Sequence, residues 1–344
     1  MDRRTFVKLP LYGTLAAAGF APARAALVPP FYSYCVVAIG GQVREIRDGK
    51  VVNSKWVATG TGFLYGRLST PDPDLAKRKY DIYLVTAKHV LDGWRAQQAA
   101  GPAKGLVVSE PMIRVNPVAV TSAATDVALS AFKDKDADWT NNPNGKDVSV
   151  LSVDLDVLRQ KGLALTFFAD DEMTADISKL NSLKVAAGDG VFVLGFPMGL
   201  IENWRNVVII KGGTIARIED MLISRSDSFL IDALVFPGNS GGPVVLRPEI
   251  ASINGTPAQH NSLLIGMVIA YQPYIDVAVS QQTQRPRVTF EENSGLASVL
   301  PTDHIVAAIA ADQKKRRPAA PPPASAPPSA EIPPPEAAPA PARK

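Results

Sequence analysis

The stretch Phe236-Pro237-Gly238-Asn239-Ser240-Gly241-Gly242-Pro243 combines a nucleophile with a pocket for negative charge. Glycine at Gly238 tolerates backbone angles that other residues avoid, so its N–H and that of Ser240 can converge where a tetrahedral intermediate would carry charge. Gly241 and Gly242 keep the surroundings uncrowded. A serine hydroxyl is a weak nucleophile alone, so the chemistry requires a histidine base and a carboxylate that orients it. The chain has three histidines. His89 closes the apolar, strand-like run Tyr83-Leu84-Val85-Thr86-Ala87-Lys88-His89-Val90, just before the turn signal Asp92-Gly93. Asp126 precedes the small apolar residues Val127-Ala128-Leu129, a context that suits a buried carboxylate.

Each piece also has an ordinary reading. A serine between glycines can be a loop, His89 a satisfied core histidine and Asp126 a turn or capping acid. What favours the chemical reading is their joint occurrence in the order His, Asp, Ser. Asp92, Asp134, Asp136 and Asp189 compete for the orienting role but lack the acid-then-apolar context of Asp126. His260, in a polar stretch, and His304, at a predicted helix start, read as surface residues. The Asp134-Lys135-Asp136-Ala137-Asp138 run has Trp139 and Gly145 where a calcium loop needs Gly and Glu, so it is rejected as a metal site.

The order, and the absence of a Gly-x-Ser-x-Gly elbow, separate the chain from subtilisins and α/β-hydrolases. Gly60-Thr61-Gly62-Phe63, Thr86-Ala87-Lys88-His89-Val90, Asp126-Val127-Ala128-Leu129, Gly188-Asp189-Gly190-Val191, Gly195-Phe196-Pro197, Asp232-Ala233 and the Ser240 motif together resemble the trypsin-like serine peptidases, specifically the bacterial HtrA-like branch, over residues 30–310. The resemblance implies His89 as general base and acid, Asp126 as orienter, Ser240 as nucleophile, and the N–H groups of Gly238 and Ser240 as the oxyanion hole. It implies Leu234, six residues before the nucleophile, at the base of the specificity pocket and Tyr271 near its wall. Leu234 is not acidic, so small or aliphatic side chains are expected there rather than Lys or Arg. The segment after the peptidase leaves no room for a PDZ domain, unlike most HtrA-like proteins, which puts chaperone function and PDZ-gated activation in doubt.

Short runs rich in Val, Ile, Tyr and Phe, separated by Gly, Pro, Asn and Asp, predict an all-β fold. The expected strands cover 34–43, 56–64, 82–86, 127–132, 191–195, 207–218, 229–235, 244–246 and 263–271. The clearest helix begins near Thr302-Asp303 and buries Ile305, Val306 and Ile309. The resemblance implies two packed six-stranded β-barrels, one carrying His89 and Asp126 and the other Ser240, with the division within residues 134–187. The expected domain spans residues 26–312.

Around it lie a leader and a tail. Adjacent Arg3-Arg4, then Phe6 and Lys8, then an apolar stretch over 9–20, resemble a twin-arginine signal over residues 1–25, with cleavage expected after Ala23-Arg24-Ala25 and Ala21-Pro22-Ala23 as the second candidate site. That stretch is about a dozen residues, interrupted by Pro10 and Gly13, whereas a span needs about 20. A periplasmic or secreted location follows as an expectation. Cys35 is the one cysteine, so no internal disulfide can form, as suits export after folding in a reducing cytoplasm. Residues 313–344 combine Lys314-Lys315-Arg316-Arg317 with a Pro- and Ala-rich sequence expected to be disordered and extended. The chain has 36 basic and 33 acidic residues. The leader holds four and one of these, the tail six and two, which leaves the body at about minus four and implies no nucleic-acid partner.

The leading expectation is therefore an exported serine endopeptidase acting on proteins or peptides through an acyl-enzyme, with no metal or organic cofactor. A catalytically weak envelope protein that binds peptides through a peptidase-like groove and the Pro-rich tail is the alternative, and an esterase is a third reading. The oligomeric state is open.

Overall fold

The computed structural model describes residues 27–316, except 135–136, 203, 250–257 and 259; the expected leader and most of the expected tail lie outside the described residues. The first half forms a nine-stranded sheet from β1 (Val36–Arg47), β2 (Lys50–Thr70), β3 (Lys79–Thr86), β4 (Leu106–Val108), β5 (Met112–Val115), β6 (Thr125–Ala128), β7 (Thr140–Asn141), β8 (Ser149–Ser152) and β9 (Phe168–Ala169). Its main path runs β6-β5-β1-β2-β3-β8-β7, antiparallel throughout, while β4 pairs with β1 and β9 lies parallel to β2. The second half is a closed barrel of β10 (Gly190–Gly195), β11 (Ile209–Arg217), β12 (Phe229–Asp232), β13 (Pro243–Leu246), β14 (Leu264–Val279) and β15 (Pro286–Pro301). The fold is thus mostly β, in two sheets with few helices. Only the second unit is a closed six-stranded barrel; the first, expected as another, is a nine-stranded sheet, because β7, β8 and β9, from the segment in which the division was expected, pair onto it.

Two cores form, one centred on the first sheet and continuing into Leu194, Met267, Leu300 and Ile305, the other within the barrel. Tyr32, Phe63 and Phe168 stack edge-to-face in the first, with centroids 4.7 and 5.9 Å apart about Phe168. Val191, Val193, Ile215, Ile231, Val244 and Ile265 fill the second. Their strand neighbours Leu194, Val245 and Leu264 pack into the other core, so these strands are buried on both faces.

Five α-helices lie among the described residues: α1 (Lys88–Ala100), α2 (Leu155–Gln160), α3 (Ile177–Ser182), α4 (Glu219–Leu222) and α5 (Thr302–Arg316). Helix α1 replaces the turn expected at Asp92-Gly93. Val90, Leu91 and Trp94 share its buried face, and the residues after Gly93 are good helix formers. A mid-helix glycine costs about 1 kcal/mol relative to alanine, less than burying Trp94 returns. Helix α5 starts where expected but continues through Lys314, Lys315 and Arg316, past the boundary placed at Asp312. Asp312 explains the extension: it is buried, accepts from Thr140 Oγ1 at 3.0 Å and pairs with Arg316 Nε at 2.6 Å. Arg316 also reaches Tyr83 Oη at 3.0 Å and Asp134 at 3.2 Å. The last turn is thereby clamped to the first sheet.

Candidate active site

Ser240 sits in the loop between β12 and β13, and backbone bonds shape that loop. The Asn239 N–H donates to the Phe236 carbonyl (2.9 Å), the Gly242 N–H to Asn239 (2.8 Å) and the Gly241 N–H to Val268 (2.8 Å). The buried Asn239 side chain accepts the Phe236 N–H at 3.1 Å. The N–H groups of Gly238 and Ser240 meet no acceptor among the described residues, as an oxyanion pocket requires. Gly238 has φ +99°, and a Cβ there would lie 2.4 Å from the Phe196 carbonyl oxygen. Gly241 has φ +83°, with a hypothetical Cβ 2.1 Å from the Thr61 oxygen. Neither position can hold a side chain without moving backbone.

Thr61, fully buried on β2, joins the two halves of the molecule. Its N–H donates to the Ser240 carbonyl (2.9 Å), its hydroxyl donates to the Gly238 carbonyl (2.7 Å), and the same hydroxyl accepts the Phe196 N–H (3.1 Å). The Gly60-Thr61-Gly62-Phe63 motif therefore supplies the strut beneath the serine loop.

His89 is the second residue of α1, and its side chain is half exposed. It shares one cleft with Ser240, walled by Val235, Phe236, Pro237 and residues 268–271. The carboxylate at its ring is Asp147, not Asp126. Asp147 Oδ2 lies 2.6 Å from His89 Nδ1, and Oδ1 accepts the His89 backbone N–H at 3.0 Å. Asp147 also serves as the N-terminal cap that Ala87 cannot provide to α1. Burial opposes its ionisation. The bonds from the His89 ring, the His89 backbone, the charge of His89 and the Lys88 backbone outweigh that and hold its carboxyl below the ordinary carboxylate range.

Asp126 lies across the sheet. It stands on β6 opposite Arg114, bonded to Arg114 Nη1 (3.3 Å) and Gln42 Nε2 (3.4 Å). Burial pushes its carboxyl up despite Arg114 and Gln42. The topology gives the reason: β6 is separated from β3 by β5, β1 and β2, whereas β8 pairs directly with β3, the strand that delivers His89. Asp147-Val148-Ser149-Val150-Leu151 has a similar acid-then-apolar context, so that local signal does not choose between Asp126 and Asp147, and strand pairing does. The other competing acids are engaged elsewhere: Asp92 with Lys88 (2.5 Å), Asp134 with Ser152 and Arg316, and Asp189 with the Ala186 N–H (2.9 Å). Asp136 lies outside the described residues.

Leu234 is half exposed and does not line the cleft; the buried Ala233 and Val235 flank it, and its carbonyl accepts from Lys211 Nζ. Strand alternation carried past β12 turns Val235 inward and Leu234 outward. Tyr271 does line the cleft, and its hydroxyl donates to Glu291 Oε1 at 2.6 Å.

The turn that carries Asp147 is braced from both halves. Asn142, buried, donates through Nδ2 to the His304 carbonyl (2.8 Å) and accepts the Asn144 N–H (2.8 Å). Lys146 pairs with Asp227 at 2.5 Å, and His304 Nε2 lies 3.0 Å from the Asp227 carbonyl. His304 is thus a brace for this turn rather than a bare surface residue. His260 is exposed. Among the described residues no three His, Cys, Asp or Glu side chains cluster as metal ligands would, and no helix is long and apolar enough to cross a membrane.

A family model described as a trypsin-like peptidase domain matches residues 60–248, more than half of the chain. Among solved structures, the chain is similar to an inactive form of Rv3671c from M. tuberculosis H37Rv, a Ser343Ala mutant, with 15% identity, 87% of this chain and 97% of that chain covered and a TM-score of 0.35. A second inactive form of the Rv3671c protease gives 16% identity, 81% and 89% coverage and a TM-score of 0.34. Human heparin binding protein gives 12% identity, 85% and 96% coverage and a TM-score of 0.41. No curated protein matches.

Proposed function

Because this chain belongs to the trypsin-like peptidase domain family, we propose that it is a serine endopeptidase whose reacting residues are His89, Asp147 and Ser240. The observation that carries the reading is the 2.6 Å contact between Asp147 Oδ2 and His89 Nδ1 in the cleft that His89 shares with Ser240. With Asp147 accepting the Nδ1 proton, Nε2 has its lone pair available as base. Nε2 takes the Ser240 proton as Oγ attacks the peptide carbonyl, and the oxyanion gathers the N–H groups of Gly238 and Ser240. His89 then returns the proton to the leaving amine, which departs as the C–N bond breaks and leaves an acyl-enzyme. Water, deprotonated by the same nitrogen, releases the acid and restores Ser240.

The substrate side chain before the scissile bond is small or aliphatic. The walls offered by Val235, Val268, Ile269 and Ala270 carry no counter-charge for Lys or Arg. A peptide library cleaved mainly after Arg would overturn this preference. The adjacent arginines and the Ala-Arg-Ala run near the start of the chain support export from the cytoplasm. N-terminal sequencing of secreted protein should begin at Ala26, and a retained Met1 would refute it.

The direct test is labelling with a fluorophosphonate. Modification of Ser240 that disappears in His89→Ala is expected; an unlabelled Ser240 across activating conditions would favour a peptide-binding groove without catalysis.

A further inference from the structure

The two strands that deliver His89 and Asp147 are joined, at the end of their ladder away from the site, by one guanidinium. β3 ends at Thr86, just before His89, and β8 begins at Ser149, just after Asp147. At the far end of the shared ladder Tyr83 stands opposite Ser152. Arg316 Nη2 donates to Tyr83 Oη at 3.0 Å, and the guanidinium carbon lies 5.9 Å from the centre of the same ring. Nη1 pairs with Asp134 at 3.2 Å, and Asp134 in turn accepts the Ser152 hydroxyl and donates its N–H to the Ser152 carbonyl (3.1 Å). Nε pairs with Asp312 at 2.6 Å, and Asp312 accepts the hydroxyl of Thr140 on β7 at 3.0 Å. One planar fork therefore grips the three consecutive strands β3, β8 and β7. A lysine could not, because it lacks the fixed, divergent donors that three partners require.

The grip matters because β7 is a weak edge. It has two residues, ends the sheet and pairs only with β8 among the described residues. The turn that joins β7 to β8 carries Asp147, so the placement of this hairpin sets the position of the acid. Strand register changes in steps of one residue, about 3.3 Å, which the 2.6 Å contact between Asp147 Oδ2 and His89 Nδ1 cannot absorb. Asp312 is 1% exposed, and loss of Arg316 would leave its buried carboxylate without a counter-charge. The other end of α5 is fixed as well. The Thr302 hydroxyl donates to the Ala175 carbonyl (2.7 Å), and Asp303 accepts the Ile177 N–H (3.0 Å). The helix is thus anchored at both ends, about 22 Å apart.

We propose that Arg316 is a positioning residue for the reaction: through Asp312, Asp134 and Tyr83 it fixes β7 and β8 against β3 and so keeps Asp147 on the His89 ring. This rests on the peptidase reading of the cleft. Arg316 touches neither the substrate nor the reacting atoms, and its influence travels along the two strands. The basic run 314–317 is thereby divided, with Arg316 belonging to the unit that does the chemistry.

The test uses the full chain with Arg316→Met, which keeps the apolar stem and removes the fork. Turnover of a peptide ester should fall about tenfold in kcat, with KM within about twofold of the parent. The proton NMR signal of the His89 Nδ1–H, displaced downfield by its bond to Asp147, should move upfield or broaden. Thr140→Val deletes one hydroxyl and leaves the ion pairs in place, and should displace the same signal in the same direction by less. Leu180→Ala, in the barrel core, controls for lost stability and should leave kcat and the signal as in the parent. An unchanged kcat and signal in Arg316→Met, a change in KM alone, or an equal change in Leu180→Ala overturns the proposal. If Arg316→Met does not fold, an unchanged signal in Thr140→Val overturns it. Fluorophosphonate labelling of the parent separates the failures. A labelled Ser240 with a signal indifferent to Arg316 removes the clamp alone. An unlabelled Ser240 with a signal that follows Arg316 removes the peptidase reading and leaves Arg316 positioning an imidazole and a carboxylate.

Discussion

Asp147 holds His89 at two points, its Oδ2 2.6 Å from the imidazole Nδ1 and its Oδ1 3.0 Å from the backbone N–H of the same residue. A single carboxylate thus caps α1 and orients the ring that the helix carries. Rotation of the imidazole and fraying of the helix start are opposed by the same group, so the ring is positioned by an element of the fold as well as by a side-chain contact.

If Asp147 is the orienting acid, Asp147→Asn should lower turnover of a peptide ester on the order of 10⁴-fold, because the amide favours the wrong imidazole tautomer. Asp126→Asn should change it less than about tenfold, since Asp126 bonds Arg114 and Gln42 across the sheet. Steady-state kinetics on both variants decide the assignment; the reverse ranking would restore Asp126.

The depressed Asp147 carboxyl has a stability consequence with a definite sign. Its folded pKa lies below the unfolded value of about 3.9, so its stabilising contribution is complete above that value and is lost as pH falls through the folded pKa. Thermal unfolding followed from neutral pH into acid should show the parent losing more stability than Asp147→Asn. Parallel curves would show that the ion pair does not contribute.

Asn142 is a positioning residue. Asn142→Ala removes the bond to His304 and the acceptor for the Asn144 N–H, and should cost about 1–3 kcal/mol in denaturant unfolding. The turn bearing Asp147 would loosen, so kcat should fall with little change in KM, and the acid limb of the rate profile should shift. A stability loss with an unchanged kcat and rate profile would assign Asn142 to folding alone.

Thr61→Val keeps the shape on β2 but deletes the hydroxyl that donates to Gly238 and accepts from Phe196. The buried Phe196 N–H loses its partner at about 1–3 kcal/mol, and the part-buried Gly238 carbonyl loses its own at less. Fluorophosphonate labelling of Ser240 should slow by more than about tenfold, because the loop that aims the Gly238 and Ser240 N–H groups is no longer held. Unaltered labelling would show that the backbone bonds suffice.

Much was legible in the residues themselves. Gly238 marked a backbone angle that other residues avoid, and the short apolar runs of β3, β10, β13 and the start of β14 announced a β fold with α5 after it. Those are local properties: a backbone angle that glycine tolerates and a short apolar run bounded by turn residues need no knowledge of distant neighbours. The choice between Asp126 and Asp147 was not local. Both precede small apolar runs, and only the pairing of β8 with β3 brings one of them to His89. Leu234 fell outside the cleft, and β14 ran on past Tyr271, for the same reason. Which face a strand presents, and how far it extends, depend on the strand it pairs with. Local sequence determined the chemical parts and the turns that hold them; long-range strand order decided which acid meets His89 and which residues wall the cleft beside Ser240.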